Sequence, residues 1–303
     1  MKLAITGATG FVGQAVLDQI EQSLHFARAL TRREQQPRRG VQWVRGDLSD
    51  KTALDELIAN TQAVIHVAGL TNTPELAEFE TANVVGTQNV LDAAAKAGVA
   101  KFIFVSSLSA REPQLSAYGA SKEKAEQLVR ASDLDWSIVR PPAVYGPRDK
   151  DMLDLFKAAE FGVVPLPPRG ATSIIHAVDL ARLLVALCEA DTGVRRKTFE
   201  PDDGREGGWS HTELGEAIGR AVGRQSTYAI NLPADILRLA AGVDKWFRGD
   251  NAKLTADRVG YMLHPNWVVR SANAVPAEIW APMIEGEVGL KQTADWYERE
   301  GWL

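Results

Sequence analysis

The stretch Thr6-Gly7-Ala8-Thr9-Gly10-Phe11-Val12-Gly13 decides how this chain is read. Ahead of it, Lys2-Leu3-Ala4-Ile5 is an apolar run of the length of a buried strand. Behind it, Val12, Ala15, Val16 and Ile20 recur at helical spacing. Glycines let the backbone bend and come close to a pyrophosphate. The start of a helix offers unpaired N–H groups and the positive end of its dipole. The plainer alternative is a glycine turn that only packs a strand on a helix. Three glycines at this spacing are weak alone, but a strand before and a helix after supply the context that confirms them. Gly7, Thr9, Gly10, Phe11, Val12 and Gly13 are therefore candidate dinucleotide contacts.

The chain has 303 residues, 45% of them apolar, enough to bury a full α/β core as one large domain with a smaller partner. A net charge of −5 argues against a nucleic-acid footprint, which is normally basic. No apolar run approaches the ~20 residues that span a bilayer, and no signal peptide is read ahead of the first strand. A cytoplasmic protein with a small-molecule substrate and no membrane span is expected. Cys188 is the only cysteine, so neither an internal disulfide nor a cysteine metal site is available. Its neighbours Leu183-Leu184-Val185-Ala186-Leu187 make it a helix core residue rather than a nucleophile.

Residues 26–30 read as a second strand ending in Thr31-Arg32-Arg33. An acidic residue near this point holds the ribose 2′-hydroxyl of NAD, whereas arginine accommodates the 2′-phosphate of NADP. No Asp or Glu lies between Phe26 and Arg33, so Arg32 and Arg33 favour NADP(H), with NAD(H) the alternative. Residues 41–44 form a third strand followed by Gly46-Asp47-Leu48, where Asp47 can reach an adenine amino group or, like Ser49 and Asp50, cap the next helix. Residues 63–67 form a fourth strand closing in Ala68-Gly69, small enough for a cofactor to lie on the backbone, with His66 read as a packing residue.

A helix is expected over residues 82–97, with Asn83 near its start as a cap or an active-site amide. The fifth strand, 101–105, ends in Ser106-Ser107, and Tyr118-Gly119-Ala120-Ser121-Lys122 opens a helix to about residue 131. A sixth strand over 136–140 runs into Pro141-Pro142-Ala143-Val144-Tyr145-Gly146-Pro147. This alternation predicts an α/β fold with a Rossmann-type, doubly wound parallel sheet. Domains are expected over 1–165 for the cofactor and 166–303 for a smaller α/β substrate region, with segments interleaved. In the second half, 151–161 reads as helix, 163–170 as an apolar proline-rich loop and 174–176 as a short strand. Asp179 is expected to cap a helix over 180–189, and Ser210 with Glu213 to form a capping box for a helix to 221. Residues 232–247 are amphipathic, and Asp235, Arg238, Asp244 and Lys245 favour a packed or lid helix over a membrane anchor. Six of the eight tryptophans follow residue 200, which suits a cleft wall or a small domain's core about equally.

Tyr118 and Lys122 are four apart and share a helix face. A tyrosine with an unperturbed pKa of about 10 is a poor acid–base group at neutral pH, and a neighbouring ammonium favours its phenolate. Ser107, or Ser106 beside it, can hydrogen-bond the substrate oxygen, and Lys122 can also hold the nicotinamide ribose. This arrangement suits hydride transfer between a carbinol and a nicotinamide.

These motifs, in this order, resemble the short-chain dehydrogenase/reductase superfamily and its extended NAD-dependent epimerase/dehydratase branch. The likeness runs from Thr6–Gly13 through Asn83, Ser106-Ser107, Tyr118–Lys122 and Arg140–Pro147 to His176-Ala177-Val178-Asp179 and residues 289–302. It implies Tyr118 as acid–base, Lys122 as its partner, Ser107 as hydroxyl donor, Asn83 as supporting amide, and Pro141 and Val144 at the nicotinamide end. It also implies a homodimer, since many relatives pair through the helices after Asn83 and Tyr118. Nucleotide-sugar relatives carry an arginine four residues before the position of His176, where this chain has Thr172 with Arg169 nearby. The segment from Ser107 to Tyr118 is compact for a sugar epimerase. Carbonyl–alcohol interconversion on a small, partly apolar substrate is therefore expected. The alternatives are a nucleotide-sugar epimerase or dehydratase, and a non-catalytic NADP(H)-binding subunit or redox sensor.

Overall fold

The computed structural model describes residues 1–249 and 252–303. In chain order the first elements are β1 (Lys2–Thr6), α1 (Phe11–Glu21), β2 (Phe26–Thr31), β3 (Val41–Arg45), α2 (Lys51–Ile58) and β4 (Ala63–His66). Then come α3 (Ala77–Phe79), α4 (Gly86–Ala97), β5 (Lys101–Val105), α5 (Ala117–Ala131), β6 (Trp136–Val139) and β7 (Ala143–Tyr145). The middle of the chain holds α6 (Leu153–Glu160), β8 (Val163–Leu166), β9 (Ala171–Thr172), β10 (Ile174–His176), α7 (Ala177–Glu189) and β11 (Lys197–Phe199). It ends with β12 (Trp209–Ser210), α8 (His211–Ala221), β13 (Tyr228–Asn231), α9 (Ala234–Arg248), α10 (Ala256–Met262), β14 (Asn266–Trp267) and α11 (Gly286–Arg299).

Two compact units emerge. The first comprises Met1–Arg140, Leu180–Phe199 and Val275–Ala281, and the second Pro141–Asp179, Glu200–Ala274 and Pro282–Leu303. The first break falls after Arg140, so position 165 lies inside the second unit. The first unit holds a seven-stranded sheet of order β11-β6-β5-β4-β1-β2-β3, parallel throughout. The order reverses between β1 and β4, the point where open α/β sheets bind their ligands at the carboxyl ends of the strands. Strands covered on both faces read as continuous apolar runs. Accordingly Leu3, Ala4, Ile5, Ala63, Val64, Ile65, Phe102, Ile103 and Phe104 are all buried. The seventh strand, β11, was not expected. Its three residues carry no pattern of their own, and it exists only because β6 supplies its hydrogen bonds.

Two helix boundaries differ from expectation. The helix around Asn83 is one π-helical turn over Glu80–Val85 leading into α4, rather than a uniform helix from residue 82. Helix α7 begins at Ala177, so Asp179 lies in its first turn; its carboxylate instead accepts the N–H groups of Met283 and Ile284. Local spacing cannot foresee a segment a hundred residues away competing for that carboxylate. Asp50 does cap α2, and Ser210 with Glu213 forms the full capping box of α8.

In the second unit, residues 163–166 are not loop. They form β8, paired parallel with β13. Val164 and Leu166 point into a core with Tyr145, Phe156, Trp209, Ile218 and Tyr297, while Val163 and Pro165 are exposed. Proline is tolerated in a two-stranded ribbon because its missing N–H can face away from the partner. Of the late tryptophans, Trp209 is buried in this core, and Trp296 and Trp302 pack against it; they are structural rather than a cleft wall.

Candidate active site

Strand β1 ends in the glycine turn, and the backbone there leaves no room for side chains. A Cβ on Gly7, whose φ is +70°, would sit 2.6 Å from the amide nitrogen of Ala68. A Cβ on Gly13 would lie 2.1 Å from the carbonyl oxygen of Gly7. The turn is thus pressed against the Val67-Ala68 peptide at the end of β4, and α1 starts at Phe11 with no side-chain cap. Its first N–H groups, from Phe11, Val12 and Gly13, belong to the orphan set every helix start presents. Thr9 and Gly10 are exposed at the crest of this turn. A close glycine approach, a bare helix start and the small Ala68-Gly69 loop fit a dinucleotide pyrophosphate.

A buried polar chain runs beneath. Ala68 N–H donates to Thr6 Oγ1 (3.3 Å), which lies 2.6 Å from His66 Nδ1. His66 Nε2 lies 3.0 Å from Thr87 Oγ1, and the Thr87 hydroxyl donates to the Asn83 carbonyl (2.6 Å). Since the Thr87 proton is committed to Asn83, Nε2 must be the protonated nitrogen and Nδ1 accepts from Thr6. Burial, with help from the Lys122 charge, pushes the His66 pKa down to about 3, so the ring stays neutral, stacked on Phe104. His66 is a packing residue that links the glycine turn to the Asn83 turn.

Asn83 is buried, and both of its amide protons and its amide oxygen are engaged. Its Oδ1 accepts Leu70 N–H (2.7 Å), while its Nδ2 donates to Leu70 O (3.0 Å) and Ser121 Oγ (2.9 Å). Ser121 in turn donates to the Tyr118 carbonyl (2.8 Å). Asn83 therefore acts here as a brace between the Gly69-Leu70 loop and the first turn of α5, and the π-helical turn is what aims it. Ser121 escaped the sequence reading, although it stands inside the Tyr118–Lys122 motif.

Helix α5 is capped by Ser116, whose hydroxyl accepts Gly119 N–H. It buries the Tyr118 side, with the Tyr118 ring tilted against Phe79. Lys122, one turn on, is also buried. Its ammonium donates to Val105 O (2.7 Å) and lies 4.5 Å from the centre of the Phe104 ring. A Cβ on Gly69 would fall 2.8 Å from Asn83 Oδ1 and 3.7 Å from Lys122 Nζ, so this loop, Asn83 and Lys122 meet at one point. Burial drives the Lys122 pKa down to about 8, against a smaller upward pull from Glu126.

The two serines after β5 separate cleanly. Ser106 is buried and donates to Glu126 Oε1 (2.5 Å). Burial works against ionising Glu126, yet Arg140, Ser106 and Arg130 outweigh it and hold the carboxyl below its usual range. Ser106 thus belongs to a structural ion cluster, which the sequence reading missed despite Glu126 lying one turn beyond Lys122. Ser107 is half-buried, with Oγ 2.6 Å from Ser109 Oγ. It is the hydroxyl of the pair not tied to a buried charge.

The remaining candidates lie elsewhere. Arg32 and Arg33 are exposed at the end of β2. Hydrogen bonds from Ser49 lower the exposed Asp47 carboxyl's pKa, with a smaller contribution from the Arg32 charge. The Leu48 side chain packs over Gly86. Pro141 and Val144 fall in the second unit, Val144 within β7 paired to Ile175. Thr172 is part of β9, and Arg169 is exposed in the turn before it. Cys188 is buried, with its thiol pushed up to about 12 by burial. Among the described residues no group of His, Cys, Asp or Glu could hold a metal ion, and no helix is long and apolar enough to cross a membrane.

The family model described as NAD(P)H-binding matches residues 7–190. The chain is 38% identical over 313 residues to a ceramide reductase of Caulobacter vibrioides, covering 99% of this chain and 96% of that one. It is 28% identical over 221 residues to a 4-hydroxy-2-methyl-3-oxo-4-farnesyl-3,4-dihydroquinoline-1-oxide ketoreductase of Stigmatella aurantiaca, covering 64% and 66%. Among solved structures it resembles UDP-glucuronic acid 4-epimerase from Bacillus cereus in complex with NAD, with a TM-score of 0.75, 17% identity and 99% of each chain covered. The last likeness concerns the fold alone. The chain belongs to the NAD(P)H-binding family within the extended short-chain dehydrogenase/reductase superfamily, and it is an NAD(P)-dependent oxidoreductase of that reductase/epimerase group.

Proposed function

We propose that this chain is an NADPH-dependent ketone reductase acting on a long-chain, ceramide-type lipid, with Tyr118 as the proton donor. The observation that carries the reading is the 38% identity, across essentially both full chains, to a protein named a ceramide reductase. A ceramide bears a secondary alcohol beside its amide on an alkyl chain, so its oxidised counterpart is a ketone that an alcohol-forming enzyme would accept. A bound nicotinamide supplies the hydride to the carbonyl carbon. Tyr118 gives its phenolic proton to the carbonyl oxygen as that oxygen gains charge, and the phenolate regains a proton from solvent. Lys122, charged below pH 8, stabilises the phenolate and holds the ribose hydroxyls. Ser107 donates to the carbonyl oxygen and orients it. Asn83 keeps the Gly69 loop and the first turn of α5 in register. Arg32 and Arg33 favour the 2′-phosphate of NADPH.

The test is NADPH oxidation with a keto-ceramide in detergent micelles. Turnover is expected with NADPH ahead of NADH, the preference shrinking in Arg32→Ala, and Tyr118→Phe should lose about a hundredfold or more. Full turnover by Tyr118→Phe rejects the mechanism. Tightly retained NAD with thermal stabilisation by UDP- or dTDP-sugars moves the reading to a nucleotide-sugar epimerase or dehydratase. Good NADPH binding with no turnover on any carbonyl points to a non-catalytic subunit.

A further inference from the structure

We propose that α9 is an interfacial helix that docks this protein on an anionic lipid surface, resting on the reading above that the substrate is a bilayer-resident lipid. Exposed large apolar side chains recur along α9 in the second unit. On α9 itself, Ile236, Leu239, Val243, Trp246 and Phe247 are all exposed, with Trp246 79% and Phe247 73% accessible. Their spacing of three, four, three and one puts them on one stripe. The helix is held to its own unit by a different face, Leu237 and Ala241 against Val259, and the apolar stripe stays outside that cluster among the described residues. Just before it, Tyr228 and Ile230 of β13 are exposed and pair across to Val163 and Pro165 of β8, adding an apolar ribbon face.

The charges around the stripe select the occupant. Trp246 and Phe247 stack edge-on, with ring centres 4.5 Å apart, and are bracketed by the exposed cations Lys245 and Arg248. Lys245 has no ion-pair partner among the described residues; Arg248 pairs with Asp244, and Arg238 with Asp235. Residues 234–248 thus carry three cations and two carboxylates inside a chain of net charge −5. An aromatic pair on an apolar stripe with cations at its end matches the headgroup boundary, where rings sit among acyl chains and cations meet lipid phosphates.

The experiment is sedimentation of the full chain with vesicles of phosphatidylglycerol and phosphatidylcholine, and with phosphatidylcholine alone. Binding is expected to the anionic vesicles and to weaken with salt. It should fall about tenfold or more in Trp246→Ser/Phe247→Ser and in Lys245→Glu/Arg248→Glu, both surface changes expected to leave melting temperature and turnover in micelles unaltered. No binding to either vesicle overturns the proposal, as does a stable dimer that Trp246→Ser/Phe247→Ser converts to monomer. Vesicle binding without keto-ceramide turnover keeps the docking surface and removes the substrate reading. Turnover in micelles without vesicle binding does the reverse.

Discussion

Lys122 serves two opposed demands, and its titration exposes both. The ammonium is buried one turn beyond Tyr118, where the proposed mechanism needs its charge, and that burial lowers its pKa from 10.5 to about 8. Between those values the unfolded chain holds a proton that the folded chain has released, so stability rises with pH across that window. The cost of burying the charge, on the order of 3 kcal/mol, is fully present below the lower value and relieved above the upper one. Urea unfolding of the cofactor-free protein at about pH 7 and about pH 10 should show this rise, and Lys122→Met should abolish it. Activity should move the other way: kcat/KM falls on the alkaline side with a midpoint near 8 as the ammonium is lost, and Lys122→Arg, always charged, lacks that limb. The serines test the division of labour beside it. Ser107→Ala should lower kcat about a hundredfold at unchanged melting temperature. Ser106→Ala should spare the chemistry and cost about 1–2 kcal/mol of stability, read by thermal melts.

At the scale of elements, the glycine turn is a packing joint as well as the proposed site for the cofactor's pyrophosphate. Gly13→Ala would place a methyl group against the Gly7 carbonyl at 2.1 Å, a backbone contact that no rotamer can relieve. The turn must open, and with it the joint to β4. A loss of more than about 2 kcal/mol in denaturant unfolding is expected, together with loss of NADPH binding by calorimetry. An unaltered melting temperature and affinity would show that the turn is looser than its geometry. The segment over residues 163–170 teaches the opposite lesson. Its burial alternates because Val164 and Leu166 face a core, but residues 163–168 are apolar throughout and three of them are proline, so no period-two signal marks the strand in the sequence. Likewise α9 was amphipathic on inspection, but which of its faces met protein depended on Val259, Leu254 and Leu263, which follow it in the chain.

For the whole molecule, the second unit contributes its own pH response. Asp149 is buried, its carboxylate accepting Asp151 N–H (2.7 Å) and Met152 N–H (3.2 Å), while its carbonyl accepts the Tyr297 hydroxyl (2.8 Å). Burial raises its pKa from 3.8 to about 7, so across that window the folded protein holds a proton the unfolded chain has lost. Stability then falls as pH rises through it. Asp149→Asn should flatten this slope, measured as urea midpoints at roughly pH 5 and pH 8. The sequence by itself determined the doubly wound sheet, the glycine turn and the placing of Tyr118 and Lys122 on one helix face. Those features rest on local rules: continuous apolar runs, glycine spacing, and a four-residue helical step. Only the tertiary structure decided that Ser106 serves Glu126, that Asn83 braces Leu70 and Ser121, that Asp179 holds Met283 and Ile284, and that β8 and β11 are strands. Each depends on a partner remote in sequence, and the free energy of such a contact is set by where the fold brings that partner, which no local pattern encodes.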